Sequence, residues 1–279
     1  MTEKYSFADL VITQFPRMGR GWTGGGTIAN GYFYEAGGRG SQTGKRDLQT
    51  GQVIGGAIPT AIPTSIHDLS YDRFNDAMWV SPGGGLQQYW LLSMQSVPWT
   101  KIKAIARPRY GYGIFCDRET PDVMWCADQH NSRIVCVDTA NGSQHSYIKL
   151  PFPVRGVAKV GADFWCTQEA NPGDQGILFR VNASGVILNQ FIFPPGKYTH
   201  GVGGMTLDED GNLLVVGGKD LPIYTLDIAK VTGEITPPIT PDEPVTPPDD
   251  PEDNTIQGVL SRLAVIEAWI EEMKIKFNL

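Results

Sequence analysis

The sequence predicts an all-β protein: a five-bladed β-propeller, closed by its N-terminal strand and followed by a proline-rich linker and a C-terminal α-helix. Two observations predict the propeller, namely a motif that recurs five times and the strand-and-turn chemistry that recurs with it. A third observation, an abrupt change of composition after Ile235, predicts the linker and the helix. We therefore divide the 279-residue chain into a propeller (1–235), a linker (236–253) and a helix (254–279).

The recurring motif is a strand centred on apolar and aromatic residues. Its five copies are Tyr32-Phe33-Tyr34, Met78-Trp79-Val80, Met124-Trp125-Cys126, Phe164-Trp165-Cys166 and Leu213-Leu214-Val215-Val216. From Phe33 to Trp79, Trp125, Trp165 and Val215 the steps are 46, 46, 40 and 50 residues. Because one four-stranded blade takes about 45 residues, five copies predict five blades.

A third strand and its exit turn recur in four of the copies. In each of them an Asp or Asn is followed within a few residues by Gly, which is turn chemistry between strands. The second copy lacks both residues in its candidate third strand, 89–93, so the repeat defines its register least well.

A further strand that ends in proline is expected at three places, 9–16, 146–151 and 188–194. The first of these precedes blade one, whereas the last blade runs directly into the proline-rich tract. We therefore expect the N-terminal strand to complete blade five, which pairs two sheet edges that would otherwise be open.

The third copy resembles a known repeat. Its Met124-Trp125 pair, Asp128, the Asn131-Ser132-Arg133-Ile134 stretch and Asp138 are similar to the blade consensus of NHL-repeat and streptogramin-lyase-like propellers. The resemblance extends to copies four and five and is weak in the first two. It implies the fold, but one propeller frame carries many unrelated functions, so no catalytic residue is transferred.

Composition excludes several classes of function. The net charge of -7 argues against a nucleic-acid partner, which would require a basic face. No apolar run reaches the roughly 18 residues of a membrane-spanning helix, and the N-terminus does not start a signal peptide, so neither membrane insertion nor secretion is expected. The four cysteines have no metal-ligand spacing and are expected to be buried and reduced, with a cross-strand disulfide as the alternative.

The linker 236–253 is rich in proline and acidic residues, so neither a strand nor a helix is expected there. A polyproline-like spacer of this kind extends by about 3.1 Å per residue. The linker would therefore hold the propeller away from whatever the C-terminal helix contacts.

The C-terminal helix is predicted to begin at Asn254, with Gln257 completing a capping box. Its apolar residues recur at alternating steps of three and four, which is a heptad seam. They are Ile256, Val259, Leu263, Ile266, Ile270, Met273 and Phe277. Isoleucine at both seam positions favours a trimer, so the helix is expected to form a homo-oligomer or to anchor the chain to a partner. The alternative is that the helix packs back on its own propeller.

The candidate binding residues lie where each blade begins, at the mouth of the central channel. They are Trp22, His67, Tyr112, Arg155 and His200, at steps of 45, 45, 43 and 45 residues. Loops between the second and third strands of each blade are rich in Gly and polar residues and are expected on the same face. Aromatic rings, amides and an arginine around a concavity suit a neutral polar ligand such as a cell-surface glycan. The alternative is that these residues are ordinary solvated loops.

No catalytic constellation is evident in the sequence. Asp68 is the only carboxylate at the entrances of the inner strands, whereas glycoside hydrolysis needs two. A metal-dependent lyase or lactonase would need several inward ligands, and His67, Asp68 and His200 come from different blades. The sequence therefore predicts a protein that is not an enzyme and has no metal ion and no cofactor.

A propeller on an acidic stalk with a terminal coiled-coil helix resembles the architecture of a bacteriophage appendage. The sequence therefore predicts a virion protein of the head-fibre, decoration or receptor-binding type, attached through its helix to capsid or tail proteins. A cytoplasmic protein-interaction scaffold is the first alternative. A metal-dependent lyase- or lactonase-like enzyme is the second.

Overall fold

The computed structural model of the protein describes residues 5–15, 24–37, 42–83, 85–108, 111–168, 176–194, 203–216 and 222–232. The chain divides into two units, Met1–Pro238 and Ile239–Leu279. The second unit lies outside the described residues, and so do the whole predicted linker 236–253 and the whole heptad seam. The predicted domain boundaries, the linker and the C-terminal helix therefore stay predictions.

The described residues form five four-stranded antiparallel sheets, which confirms the predicted all-β, five-bladed propeller. Ahead of the first blade lie α1 (Phe7–Leu10) and β1 (Val11–Phe15). Blade one contains β2 (Gly26–Ala29), β3 (Tyr32–Ala36), β4 (Gln42–Asp47) and β5 (Ile58–Pro59). Blade two contains β6 (Ile66–Asp72), β7 (Ala77–Pro82), β8 (Gln88–Ser93) and β9 (Thr100–Ala106).

Blades three and four repeat this arrangement, with the strands paired in chain order from the inner to the outer edge. Blade three contains β10 (Gly111–Cys116), β11 (Val123–Asp128), β12 (Arg133–Asp138) and β13 (Gln144–Lys149). Blade four contains β14 (Val154–Val160), β15 (Asp163–Gln168), β16 (Ile177–Val181) and β17 (Ile187–Ile192). In blade five, β18 (Met205–Leu207), β19 (Leu213–Val216) and β20 (Ile223–Leu226) precede α2 (Ala229–Thr232).

Blade five takes its outer strand from the beginning of the chain. Its strand order is β1-β20-β19-β18, and β1 runs antiparallel to β20 with Val11 opposite Leu226. The predicted strand 9–16 begins two residues late, because Asp9 accepts hydrogen bonds from both the backbone nitrogen and the hydroxyl of Ser6, at 2.7 Å each. These bonds cap the short α1 and keep Asp9 and Leu10 helical.

The register of blade two follows the other blades although its sequence lacks the recurring turn. The strand β8 pairs with β7 from Ala77 opposite Ser93 to Val80 opposite Trp90. The outer strand β9 was not predicted from the sequence. Its Lys101 ammonium lies 4.1 Å from the centre of the Trp90 ring, so aliphatic and cationic parts of the lysine cover an aromatic ring of the neighbouring strand.

The core lies between adjacent blades, where each sheet packs its motif strand against the next sheet. Trp79 and Trp165, two of the repeated tryptophans, are fully buried. The four cysteines are buried and unpaired, as the sequence predicted. Carboxylates at the ends of two inner strands accept the indole N–H groups: Trp79 donates to Asp72 at 3.2 Å and Trp125 donates to Asp117 at 3.0 Å.

Blade four has lost this carboxylate. Val160 stands at the register position that Asp117 and Asp72 occupy in their blades, two residues beyond the partner of the tryptophan. The buried Trp165 Nε1 accordingly has no hydrogen-bond partner. An orphaned buried donor of this kind costs about 1–3 kcal/mol, which the complete burial of the indole ring offsets.

Candidate functional site

At three of the five junctions between blades, the inner strands or the residues just before them approach one another so closely that glycine is required. A Cβ atom on Gly113 would lie 2.4 Å from the Arg155 carbonyl oxygen, and one on Gly156 would lie 2.5 Å from the Gly203 carbonyl oxygen. One on Gly203 would lie 2.9 Å from the carbonyl oxygen of Gly24. Real Cβ atoms do not approach other atoms within 3.0 Å, so a side chain at these positions would clash with the neighbouring blade. The backbones of blades three and four, four and five, and five and one are therefore in direct contact around the centre of the ring.

The side chain of Asp68 occupies the space that remains. It projects from blade two, and Cβ atoms on Gly25 of blade one or Gly204 of blade five would overlap its carboxyl group. Its Oδ1 accepts a hydrogen bond from Leu69 N, and its Oδ2 accepts one from Ile114 N in blade three, both at 2.9 Å. Asp68 therefore contacts four of the five blades near the axis of the ring.

Asp68 is 1% exposed, and its burial raises its pKa to about 8. Four groups lower the pKa of Asp68, but by less than burial raises it. They are the backbone N–H groups of Ile114, Leu69 and Gly26 and the positive charge of Arg155. At neutral pH the group is therefore mostly a neutral carboxylic acid.

Three of the five predicted mouth residues come together on blades two, three and four. The ring centroids of His67 and Tyr112 are 4.6 Å apart with an interplanar angle of 59°. The guanidinium carbon of Arg155 lies 4.6 Å from the centre of the Tyr112 ring. His67, Tyr112 and Arg155 thus form one continuous row, which we call the mouth row. The predicted residues Trp22 and His200 lie outside the described residues.

His67 and Tyr112 are partly exposed, whereas Arg155 is 8% exposed. The backbone of Gly83 lies against His67, since a Cβ at Gly83 would come within 2.6 Å of His67 Nε2. The mouth row therefore offers an aromatic surface with a cationic end, backed by the neutral carboxyl of Asp68, which follows His67 in the chain. This arrangement can stack against a sugar or another flat ring and donate hydrogen bonds from its guanidinium.

Arg107 belongs to the same region and was not predicted from the sequence. It follows β9 in the connection to blade three. Its Nη1 donates at 2.5 Å to the carbonyl oxygen of Pro82, the residue before Gly83, whose backbone lies against His67. Its buried Nε has no hydrogen-bond partner among the described residues. The only sequence signal is its place five residues before Tyr112, in an inter-blade connection.

The opposite face of the ring is spanned by Arg118. Arg118 follows β10, at the end of that strand opposite Tyr112. Its guanidinium donates hydrogen bonds to two carbonyl oxygens of blade five, those of Leu207 and, at 2.9 Å, Asp208. Burial lowers the pKa of Arg118 to about 10, so the side chain stays charged at neutral pH. Because Arg118 bridges two blades that are not neighbours, a ligand is expected to approach the centre from the mouth row.

The described residues contain no group of three or more His, Cys, Asp or Glu side chains arranged to bind a metal ion. Among these residues, no helix has both the length and the apolar character needed to cross a membrane.

Comparison with solved structures supports the propeller fold. The chain resembles the crystal structure of Myxococcus xanthus glutaminyl cyclase with a TM-score of 0.59 and 11% identity, over 78% of this chain and 94% of that one. Kuenenia stuttgartiensis hydrazine synthase gives a TM-score of 0.47 at 14% identity, over 73% of this chain and 57% of that one. The Cps50 (Swd1) β-propeller domain of Myceliophteria thermophila gives 0.44 at 15% identity, over 74% and 64%. No family model matches the chain, and no curated protein matches it by sequence.

The similarity to the glutaminyl cyclase corrects one prediction. The sequence was interpreted as that of a protein without enzymatic activity, because no catalytic constellation was evident in it. That exclusion of enzymatic activity is wrong, because a solved structure with the same fold, matched over 94% of its own length, is an enzyme. At 11% identity the likeness shows a shared fold, and it transfers neither substrate nor catalytic residues.

Proposed function

We propose that this protein is a ligand-binding propeller, displayed as a virion appendage, which presents its channel mouth to a saccharide. The observation that carries the proposal is the mouth row, in which the His67 and Tyr112 rings lie 4.6 Å apart at an angle of 59° and the Arg155 guanidinium carbon lies 4.6 Å from the Tyr112 ring centre. Sugar rings bind to aromatic faces through their apolar C–H surfaces and to guanidinium groups through their hydroxyls. Aromatic and cationic side chains in one row suit a saccharide better than they suit an apolar ligand.

The position of the mouth row favours binding over a purely structural role. Tyr112 and His67 keep part of their surface exposed, although the core of each blade is fully packed without them. On the other face of the ring, Arg118 donates to a carbonyl oxygen of blade five, so a ligand is expected to reach the centre from the mouth row.

The setting on a virion rests on the sequence outside the propeller. An acidic, proline-rich spacer followed by a heptad seam suits a domain that is held at a distance from the structure to which it is attached. The propeller would be the displayed part, and capsid or tail proteins would hold the helix.

Tyr112→Ala is expected to weaken saccharide binding about fivefold or more, because loss of the stacking face costs about 1 kcal/mol or more. Binding of the full-length protein to an array of neutral and acidic saccharides would identify the probe, and titration with that saccharide would give the affinity. Tyr147→Ala is the matched control, since Tyr147 on β13 is 61% exposed and also lies under an arginine, Arg133, at 5.1 Å. Equal affinities for both variants and the native protein would contradict the proposal.

Ile266→Asp is expected to abolish oligomerisation or attachment while leaving the propeller folded. A charge in the middle of the seam would be buried without a partner, which costs several kcal/mol, about 3 or more. Light scattering of the full-length protein measures the oligomer, and co-sedimentation with the particle measures attachment. Ser261→Asp is the control, because position 261 lies outside the seam. If Ile266→Asp kept both its mass and its attachment, the anchoring role would be wrong.

A further inference from the structure

We propose that the mouth row recognises an acidic saccharide, a sugar that bears a carboxylate, through the guanidinium groups of Arg107 and Arg155. This inference rests on the proposed function and narrows its ligand class, which the sequence alone predicted to be neutral. The Arg155 guanidinium carbon lies 4.6 Å from the centre of the Tyr112 ring. The Arg107 guanidinium donates to the carbonyl oxygen of Pro82, and the next residue, Gly83, lies against His67.

Of the two arginines, Arg107 gives the stronger evidence for the proposal. The residue is 9% exposed, and one carbonyl oxygen, that of Pro82, accepts from its Nη1. Within the part of the chain that the structure describes, its Nε is buried without a hydrogen-bond partner. Buried guanidinium groups normally have every N–H satisfied, because an unpaired donor on a charged group is costly. A ligand that supplies an acceptor to Arg107 would remove that cost on binding.

Burial lowers the pKa of Arg107, so its charged form has lost part of the solvation that it would have in water. A carboxylate restores that stabilisation better than a hydroxyl does, because planar carboxylates accept two parallel N–H bonds from one guanidinium. The nearby Asp68 does not supply it at neutral pH. Burial raises the Asp68 pKa to about 8, and both of its oxygens already accept backbone hydrogen bonds.

The charge of the whole chain makes the inference specific to this site. With a net charge of -7, the protein as a whole repels an acidic saccharide, so any preference for the acid must come from local cations. The mouth row provides the stacking surface for the sugar ring, and the two arginines provide positive charge beside it.

The test compares two polymers that differ only at C6 of the displayed sugar, one carrying β-glucoside groups and one carrying β-glucuronide groups. The full-length protein is titrated with each polymer at about 0.15 M salt, a concentration that screens distant charges beyond about 8 Å. We expect the glucuronide polymer to bind at least tenfold more tightly. Arg107→Gln should reduce that preference to less than about threefold.

Arg73→Gln, which alters an exposed arginine in the turn after β6, at the opposite end of that strand from His67, is the matched control and should keep the preference. Equal binding of the two polymers by the native protein would overturn the acidic-saccharide inference and leave the proposed function standing. Binding of neither polymer, together with a negative array, would overturn both. Because the comparison of polymers uses the native protein, it remains decisive even if Arg107→Gln does not fold.

Discussion

Replacing Asp68 by alanine is expected to destabilise the propeller by about 3–6 kcal/mol. The carboxyl group accepts hydrogen bonds from the backbone nitrogens of Leu69 and Ile114 and is also bonded by Gly26. Removing it leaves these donors buried without an acceptor, at about 1–3 kcal/mol each. It also empties the space between Gly25 and Gly204. Chemical denaturation of the propeller measures the loss.

The charge state of Asp68 gives the same residue a distinct pH signature. Its pKa is raised to about 8 in the folded protein, against about 3.9 for an unfolded aspartate. The folded state therefore binds the proton more tightly, and the stability that Asp68 contributes is complete below about pH 4 and is lost as the pH rises to about 8. Between pH 5 and pH 8, the free energy of unfolding should fall by at most about 1.4 kcal/mol per pH unit.

Asp68→Asn separates this effect from all other titrations, since the amide mimics the neutral acid and cannot ionise. The difference in unfolding free energy between the native protein and this variant should slope between pH 5 and pH 8. Asp47→Asn is the control: the backbone N–H of Thr50 holds the pKa of Asp47 below its usual value, so its contribution is lost only as the pH falls below about 4. A flat difference for Asp68→Asn across the window would show that the carboxyl is ionised throughout.

The sequence predicts the frame of this protein well because the frame is periodic. Trp79, Trp125 and Trp165 recur at the spacing of a blade, and in a propeller residues at equal spacing occupy equivalent places. The same argument places His67, Tyr112 and Arg155 at one end of three inner strands, where they form the mouth row.

What the sequence could not predict depends on contacts between blades. The burial of Asp68 is produced by Gly25 and Gly204, which are far from it in the chain, so the lone carboxylate noted in the sequence gave no sign of its altered pKa. Arg118 bonds to backbone carbonyls 89 and 90 residues away, which no local pattern encodes. The helix α1 was not predicted either, and here the cause is a local contact. Asp9 accepts a hydrogen bond from Ser6 and caps a helical turn within a segment whose sequence predicts a strand.

Deleting residues 1–16 is expected to cause aggregation, whereas a chain of residues 1–236 should fold as a monomer. The deletion removes β1 and leaves β20 as an open edge, with hydrogen-bonding groups free to pair with another chain. It also removes two core residues of α1, Phe7 and Leu10, which are 3% and 0% exposed. The Phe7 ring lies 4.3 Å from the ring of Phe193 and 5.1 Å from that of Tyr224, so its loss opens the core between blades four and five.

Point variants distinguish the loss of the edge from the loss of the core. Phe7→Ala should cost about 3–5 kcal/mol and leave the protein monomeric, because β1 still covers β20. Ile12→Ser, at a strand position that is 49% exposed, should change stability by less than about 0.5 kcal/mol. Light scattering gives the mass, and thermal unfolding the stability, of four proteins: the chain of residues 17–236, the chain of residues 1–236, Phe7→Ala and Ile12→Ser. A chain of residues 17–236 that stayed soluble with an unchanged melting temperature would mean that β1 is not what closes the ring, because an unprotected β20 edge would then carry no penalty.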